Sequence, residues 1–185
     1  VLRSIDDALT REPRADHRHR IEHASIVNSQ ILRRAKDLGV VLALHSYIYE
    51  HGDKMVAYGE RRFPWMHANR SALEMGIPVP GSSDVPVSAA HPLTRIQSLV
   101  TRASADGEVY GSEQRLHPEQ AVAVFTLGGA YASFEEATKG SIEEGKLADF
   151  VVLTSNPAKT PPDQLRKIRV DMTVIGGEIV FQRDE

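Results

Sequence analysis

Three short apolar runs alternate with helical patterns over the first hundred residues, and that alternation restricts the fold more than any other feature. The runs are Arg20–Ala24 (RIEHA), Val40–Leu44 (VVLAL) and Ile77–Gly81 (IPVPG). VVLAL is continuously apolar, the signature of a strand buried on both faces. Between the first two runs, Asn28 or Ser29 caps a helix with an apolar face of Val27, Ile31, Ala35 and Leu38, stopped by Gly39. Met66–Met75 reads as a second helix closed by Gly76, and Pro92 opens a third that runs to about Ala103. Strand and helix in strict alternation argue for a parallel sheet with covering helices, and crossover handedness leaves few topologies. Two features fit less well. The prolines of IPVPG each remove a ladder donor. Residues 46–66, rich in Tyr, charge and Gly without a clean period, read as a long loop.

The flanks differ. Val1–Leu9 carries Leu2, Ile5 and Leu9 at helical spacing, so the chain is expected to begin inside an element with further sequence upstream. Residues 104–116 form a polar loop. His117–Pro118 opens a helix that is interrupted at Gly128-Gly129 and resumes through Ala130–Phe134. Phe150–Leu153 is a strand, and Val170–Ile175 and Glu178–Gln182 flank Gly176-Gly177 as a hairpin whose two turn residues need positive φ.

Composition excludes several classes. The 185 residues hold no cysteine, which removes disulfides, thiolate zinc ligands and Cys nucleophiles together. The 22 Lys and Arg against 25 Asp and Glu give a net charge of −3, with no electrostatic case for nucleic acid or an anionic membrane. No apolar run approaches a membrane span. A cytoplasmic location is expected, although sequence upstream of Val1 would carry any signal.

Chemistry concentrates at two strand ends. His23 closes RIEHA and Asp84 follows IPVPG in the string GSSDVPV. In parallel α/β sheets, ligands gather outside the carboxyl ends of the strands. A His and an Asp placed there suit a divalent metal site or an acid/base pair. His45 closes VVLAL on the same rim and is the candidate for the substrate pocket. The competing reading is that each is a hydrogen-bonded structural group or an N-cap. Glu22 alternates away from His23 and is expected in a salt bridge. His17 and His19 lie in a basic lead-in, His117 marks a helix entry, and His67 and His91 read as surface groups flanking helix starts. Tyr47, Tyr49 and Trp65 sit in the long loop, where pocket lining competes with ordinary packing. Arg61 and Arg62 offer a carboxylate-binding pair, but a solvated face is the expected reading.

RIEHA, SSDVPV and QRLHPEQAVAVFTLGGAYASFEEATKGSIEEGKLADFVVL together resemble the C-terminal part of the amidohydrolase superfamily, in its YtcJ-like branch, amidohydrolase family 3. The resemblance runs from about Arg18 to Gln182. It implies a distorted (β/α)8 barrel holding one or two divalent metals, usually zinc, with a small β-sandwich built from both chain ends. In that family the ligands are an HxH pair on strand one, a Lys (often carboxylated) or other residue after strand four, histidines after strands five and six, and an Asp after strand eight. By motif, His23 is the strand-six ligand and Asp84 the strand-eight Asp. The earlier ligands have no counterpart here, His45-Ser46 stands where Gln-Pro is common, and Gly81-Ser82-Ser83-Asp84 replaces the commoner Gly-Ser-Asp.

The resemblance therefore implies a partial barrel, about strands six to eight, over residues 1–148, and C-terminal sandwich strands over 149–185. A complete barrel needs about 250 residues. The expected function is hydrolysis of a C–N bond in an amide or cyclic amide, with metal-activated water and Asp84 as general base and then acid. The substrate is expected to be a small amide-type molecule. This portion alone is expected to bind metal poorly, to be inactive, and to self-associate as a homo-oligomer through unpaired strand edges. The alternative is a non-catalytic regulatory or interaction module that keeps the fold.

Overall fold

A computed structural model describes residues 1–184 as an α/β molecule. Helix α1 (Leu2–Arg11) is joined by a lead-in to strand β1 (Arg20–Glu22), helix α2 (Ser29–Asp37) and strand β2 (Val41–Ala43). β1 and β2 pair in parallel, with Ile21 opposite Leu42. Every residue from Val40 to Leu44 is buried, as a two-sided strand requires. The third run lies beside β2 without forming a ladder. Val41 N–H points to the His19 carbonyl on the β1 side, whereas Leu42 N–H donates to the Pro78 carbonyl at 3.0 Å on the other. Pro78 and Pro80 return no donors, so Ile77–Gly81 is an extended segment rather than a strand.

α2 starts where Asn28 Oδ1 accepts from Ile31 N–H at 2.8 Å. Its buried face is Leu32 and Ala35, while Ile31 is 38% exposed. The helix is turned by about one residue from the expected face, because adjacent Ile31 and Leu32 offer equal apolarity and tertiary contacts decide between them.

The expected loop over 46–66 is mostly helical. Helix α3 (Ile48–Tyr58) and a 3-10 stretch (Glu60–Trp65) occupy it. α3 is kinked at His51 (φ −130°, ψ 36°), and Gly52 follows because a Cβ there would meet Ser104 Cβ at 2.5 Å. The kink and the mid-helix Gly erase the periodic signal. Helix α4 (Asn69–Glu74) begins three residues later than expected. Helix α5 (Pro92–Thr101) is the central element, burying residues on all sides, among them Arg95, Ser98 and Leu99. Its N-cap is His91, which accepts from Thr94 N–H. Beyond its end, Arg102 is 1% exposed and donates to the carbonyls of Met66, His67 and Tyr110 at 2.9–3.0 Å. Burial pushes its pKa down to about 10.

His117 and Gln120 form a capping box for helix α6 (Pro118–Phe125). Helix α7 (Leu127–Ala132) follows a break at Thr126, two residues before the expected glycines. Strands β3 (Phe150–Leu153), β4 (Val170–Ile175) and β5 (Glu178–Gln182) make an antiparallel sheet in the order β3-β4-β5. The Gly176-Gly177 turn has φ of 58° and 85°, as a tight hairpin demands. A 3-10 turn (Pro162–Lys167) ties this end to α5 through its buried Leu165 and the Arg166 N–H, which donates to Gln97 Oε1 at 3.0 Å. No helix among the described residues is long and apolar enough to cross a membrane.

Candidate active site

The three extended segments deliver His23, His45 and Asp84 to one rim. Each follows the carboxyl end of its segment, and each has a left-handed backbone, with φ of 66°, 24° and 54°. Such conformations cost non-glycine residues of order 1–3 kcal/mol each and cluster where geometry serves a site.

Tyr47 joins them. Its hydroxyl donates to Asp84 Oδ2 at 2.5 Å and stands 3.2 Å from His45 Nδ1 and 3.4 Å from His23 Nδ1. His23 Nδ1 and Asp84 Oδ2 are 3.9 Å apart. The rings form a stack, His23 on His45 at 4.6 Å between centroids and His45 on Tyr47 at 5.1 Å. His51 and His67 abut Tyr47 edge-on. Tyr47 is placed by the turn between β2 and α3, and that turn is anchored from below. Buried Arg95 forms a two-pronged ion pair with Glu50 and donates to the Ser46 carbonyl at 3.1 Å. Ser46 Oγ donates to Ser98 Oγ at 2.8 Å.

The electrostatics separate the groups. The hydrogen bond from Tyr47 holds the Asp84 carboxyl below its usual range, so it is ionised at neutral pH. Burial, and then the Asp84 hydrogen bond, pushes the Tyr47 phenol up and keeps it a donor. Burial holds His45 below its ordinary value, with His23 a smaller contributor.

Exposure assigns the faces. The His23 side chain is 54% exposed and that of Asp84 is 26%. Both line a cavity of about 330 Å³, with Tyr47 between them. His45 is only 4% exposed and is the middle ring of the stack, outside the cavity lining, because it closes a strand buried on both faces. Its Nε2 is enclosed without a hydrogen-bond partner. As donors, His23 and Asp84 offer the N and O atoms a divalent cation takes. Among the described residues, no group of three His, Cys, Asp or Glu side chains converges to hold one ion. A catalytic zinc takes three protein ligands, so the pair fits such an ion as part of a donor set.

The other sequence candidates separate cleanly. Glu22 pairs with Arg20 on the strand. His17 contacts the Leu38 carbonyl at 2.7 Å, with its ring tilted against that of His19 at 4.7 Å between centroids. His67, expected at the surface, is buried, with Nδ1 3.2 Å from the Leu44 carbonyl. Burial, then the Arg102 charge, pushes its pKa down to about 4. Tyr47 is the residue that sequence reasoning left among loop aromatics. Its position two residues beyond His45, at the start of an unrecognised helix, was the available signal.

Comparison with known proteins gives this arrangement a context. The profile described as "Amidohydrolase family" matches residues 1–181. YtcJ of Bacillus subtilis (strain 168), which bears an amidohydrolase name, is 31% identical over 189 residues, covering 99% of this chain and 36% of that protein. The N-substituted formamide deformylase of Arthrobacter pascens is 27% identical over 186 residues, covering 96% of this chain and 33% of that protein. Among solved structures, a metal-dependent hydrolase from Pyrococcus furiosus is similar at a TM-score of 0.66 and 27% identity, over 85% of this chain and 32% of that one. One from Pyrococcus horikoshii OT3 shares the fold at a TM-score of 0.69 and 24% identity, over 87% of this chain and 34% of that one. The chain thus spans about a third of the length of the curated relatives it matches. With the profile matched across nearly every residue, the chain belongs to the amidohydrolase family.

Proposed function

We propose that the protein to which this chain belongs hydrolyses a C–N bond in an amide or cyclic amide, with a divalent metal, zinc by preference, at the His23–Asp84 rim. The observation that carries this reading is the convergence of His23, Tyr47 and an ionised Asp84 on one cavity at the carboxyl ends of the extended segments. In this reading, residues 1–148 supply about strands six to eight of a (β/α)8 barrel, and 149–185 supply strands of a small β-sandwich. His23 and Asp84 hold part of the metal's coordination sphere, and other ligands complete it. A bound divalent cation polarises the carbonyl and lowers the pKa of water. Asp84 takes the proton of the attacking water and passes it to the leaving nitrogen, general base and then acid. Tyr47 holds one Asp84 oxygen by its hydrogen bond and leaves the other for the proton. His45, neutral and enclosed, supports the ring of His23 from behind.

The test uses the full-length protein, with metal measured by mass spectrometry and turnover measured on N-formyl amines, N-acyl amino acids, cyclic imides and cyclic ureas. Metal near stoichiometry, and hydrolysis lost on chelation and restored by zinc, is the expected result. Absence of both bound metal and turnover would favour a non-catalytic module.

A further inference from the structure

The Tyr47 hydroxyl has one hydrogen and three polar neighbours. Asp84 Oδ2 is 2.5 Å from it, His45 Nδ1 3.2 Å and His23 Nδ1 3.4 Å. An ionised carboxylate can only accept, and its contact is the shortest, so the hydrogen goes to Asp84. Toward His45 the phenol oxygen then presents a lone pair. A ring nitrogen 3.2 Å from a lone pair makes a hydrogen bond only if it carries the hydrogen itself. The other nitrogen of the ring agrees. His45 is 4% exposed, and its Nε2 is enclosed with no partner among the described residues. A hydrogen on Nε2 would leave both ring nitrogens unsatisfied, one facing a lone pair and one a buried donor without an acceptor. A hydrogen on Nδ1 leaves one, and each buried unmet group costs about 1–3 kcal/mol.

We infer that His45 is a positioning residue, which carries its hydrogen on Nδ1, donates it to the Tyr47 oxygen and so sets the direction of a chain running from His45 through Tyr47 to Asp84. Were Nδ1 bare, it would be a second acceptor competing for the phenol hydrogen, and Asp84 would be held only part of the time. The setting keeps the donor in place. His45 is the middle ring of the stack, its plane within 10° of Tyr47 and 25° of His23, and it closes a strand buried on both faces. It lines no part of the Asp84 cavity, whereas Tyr47 and Asp84 both do. His45 therefore reaches the carboxylate through the phenol and leaves the substrate untouched.

This role rests on the hydrolytic reading above, so the first readout needs no turnover. Nitrogen NMR of the full-length zinc-loaded protein, isotopically labelled at histidine, distinguishes the two neutral forms of the ring. The His45 signals are those lost in His45→Asn. A hydrogen on Nδ1 with a bare Nε2 is expected, and the reverse overturns the inference whether or not any variant is active. The second readout is kinetic. His45→Phe keeps a ring in the stack and removes the donor, and should lower kcat about 10–100-fold with KM within about twofold of the wild type. His45→Asn sets an amide N–H near the place of Nδ1 and tolerates the left-handed φ of 24°, so it should turn over at least threefold faster than His45→Phe. In Tyr47→Phe the chain is already cut, and adding His45→Phe should cost less than about twofold more. Losses that multiply in the double variant mean that the ring acts by packing alone and overturn the inference. A hydrogen on Nδ1 with no turnover of any amide leaves the chain standing and overturns the hydrolytic reading instead.

Discussion

At the scale of single residues, the site turns on how an acid and a phenol share one proton-bearing contact. Tyr47 donates, Asp84 accepts, and the carboxylate is kept ionised and aimed. Asp84→Asn in the full-length protein should lower kcat by about 10²–10⁴-fold, since an amide cannot serve as a base. It should cost at most about 1 kcal/mol of stability, because Asn retains the volume and tolerates the left-handed backbone. Tyr47→Phe should cost about 10–100-fold in activity or metal affinity, as is usual for a group that orients a ligand. Steady-state kinetics with calorimetric metal titration would check both variants, and full turnover in Asp84→Asn would reassign the base. His67 makes a different kind of contribution. Unfolded, its imidazole binds a proton near pH 6.5, but buried against the Leu44 carbonyl it does so only near 4. The unfolded chain therefore holds more protons across that window, and stability should fall as pH drops from about 6.5 to 4, by on the order of 3 kcal/mol. Urea midpoints measured across this range should show the fall, and His67→Gln should flatten it.

At the scale of elements, the turn from β2 into α3 decides where Tyr47 stands. Arg95 is fully buried beneath that turn and its charge is met by Glu50. Glu50→Gln removes the charge that faces buried Arg95 from a partly exposed position and should destabilise the fold by about 1–3 kcal/mol, measurable by chemical denaturation. A smaller loss than about 1 kcal/mol would mean that water reaches the guanidinium. This element also explains what could be read in advance and what could not. The rim positions of His23, His45 and Asp84 were legible, because apolar runs mark where segments end and parallel topology puts those ends together. α3 was not, since its kink at His51 and the Gly52 that lets it approach Ser104 break the period that announces a helix. With α3 unread, the placement of Tyr47 could not follow. His67 was misread for a related reason: its burial depends on a strand carbonyl more than twenty residues away, which no local pattern encodes.

At the scale of the whole molecule, two surfaces remain incompletely covered. The β3-β4-β5 sheet exposes Val151, Ile175, Ile179 and Phe181, and a groove of about 1080 Å³ runs between it and helices α5, α6 and α7. Apolar surface of this extent next to open strand edges favours pairing with another copy. The isolated 185-residue chain should self-associate, and light scattering across a concentration series should show mass rising above 20.4 kDa. A monomer at every concentration would count against it. The opposite case is found at the Arg102 guanidinium, which reaches carbonyls at positions 66, 67 and 110. These contacts cinch a loop of more than forty residues around the end of α5, the topological task a cross-link performs in chains that have cysteine. A clasp made of three N–H to carbonyl contacts needs no oxidant to form and no isomerase to correct. It re-forms as often as the chain opens, so the loop that carries His67 can be lost and recovered under reducing and oxidising conditions alike.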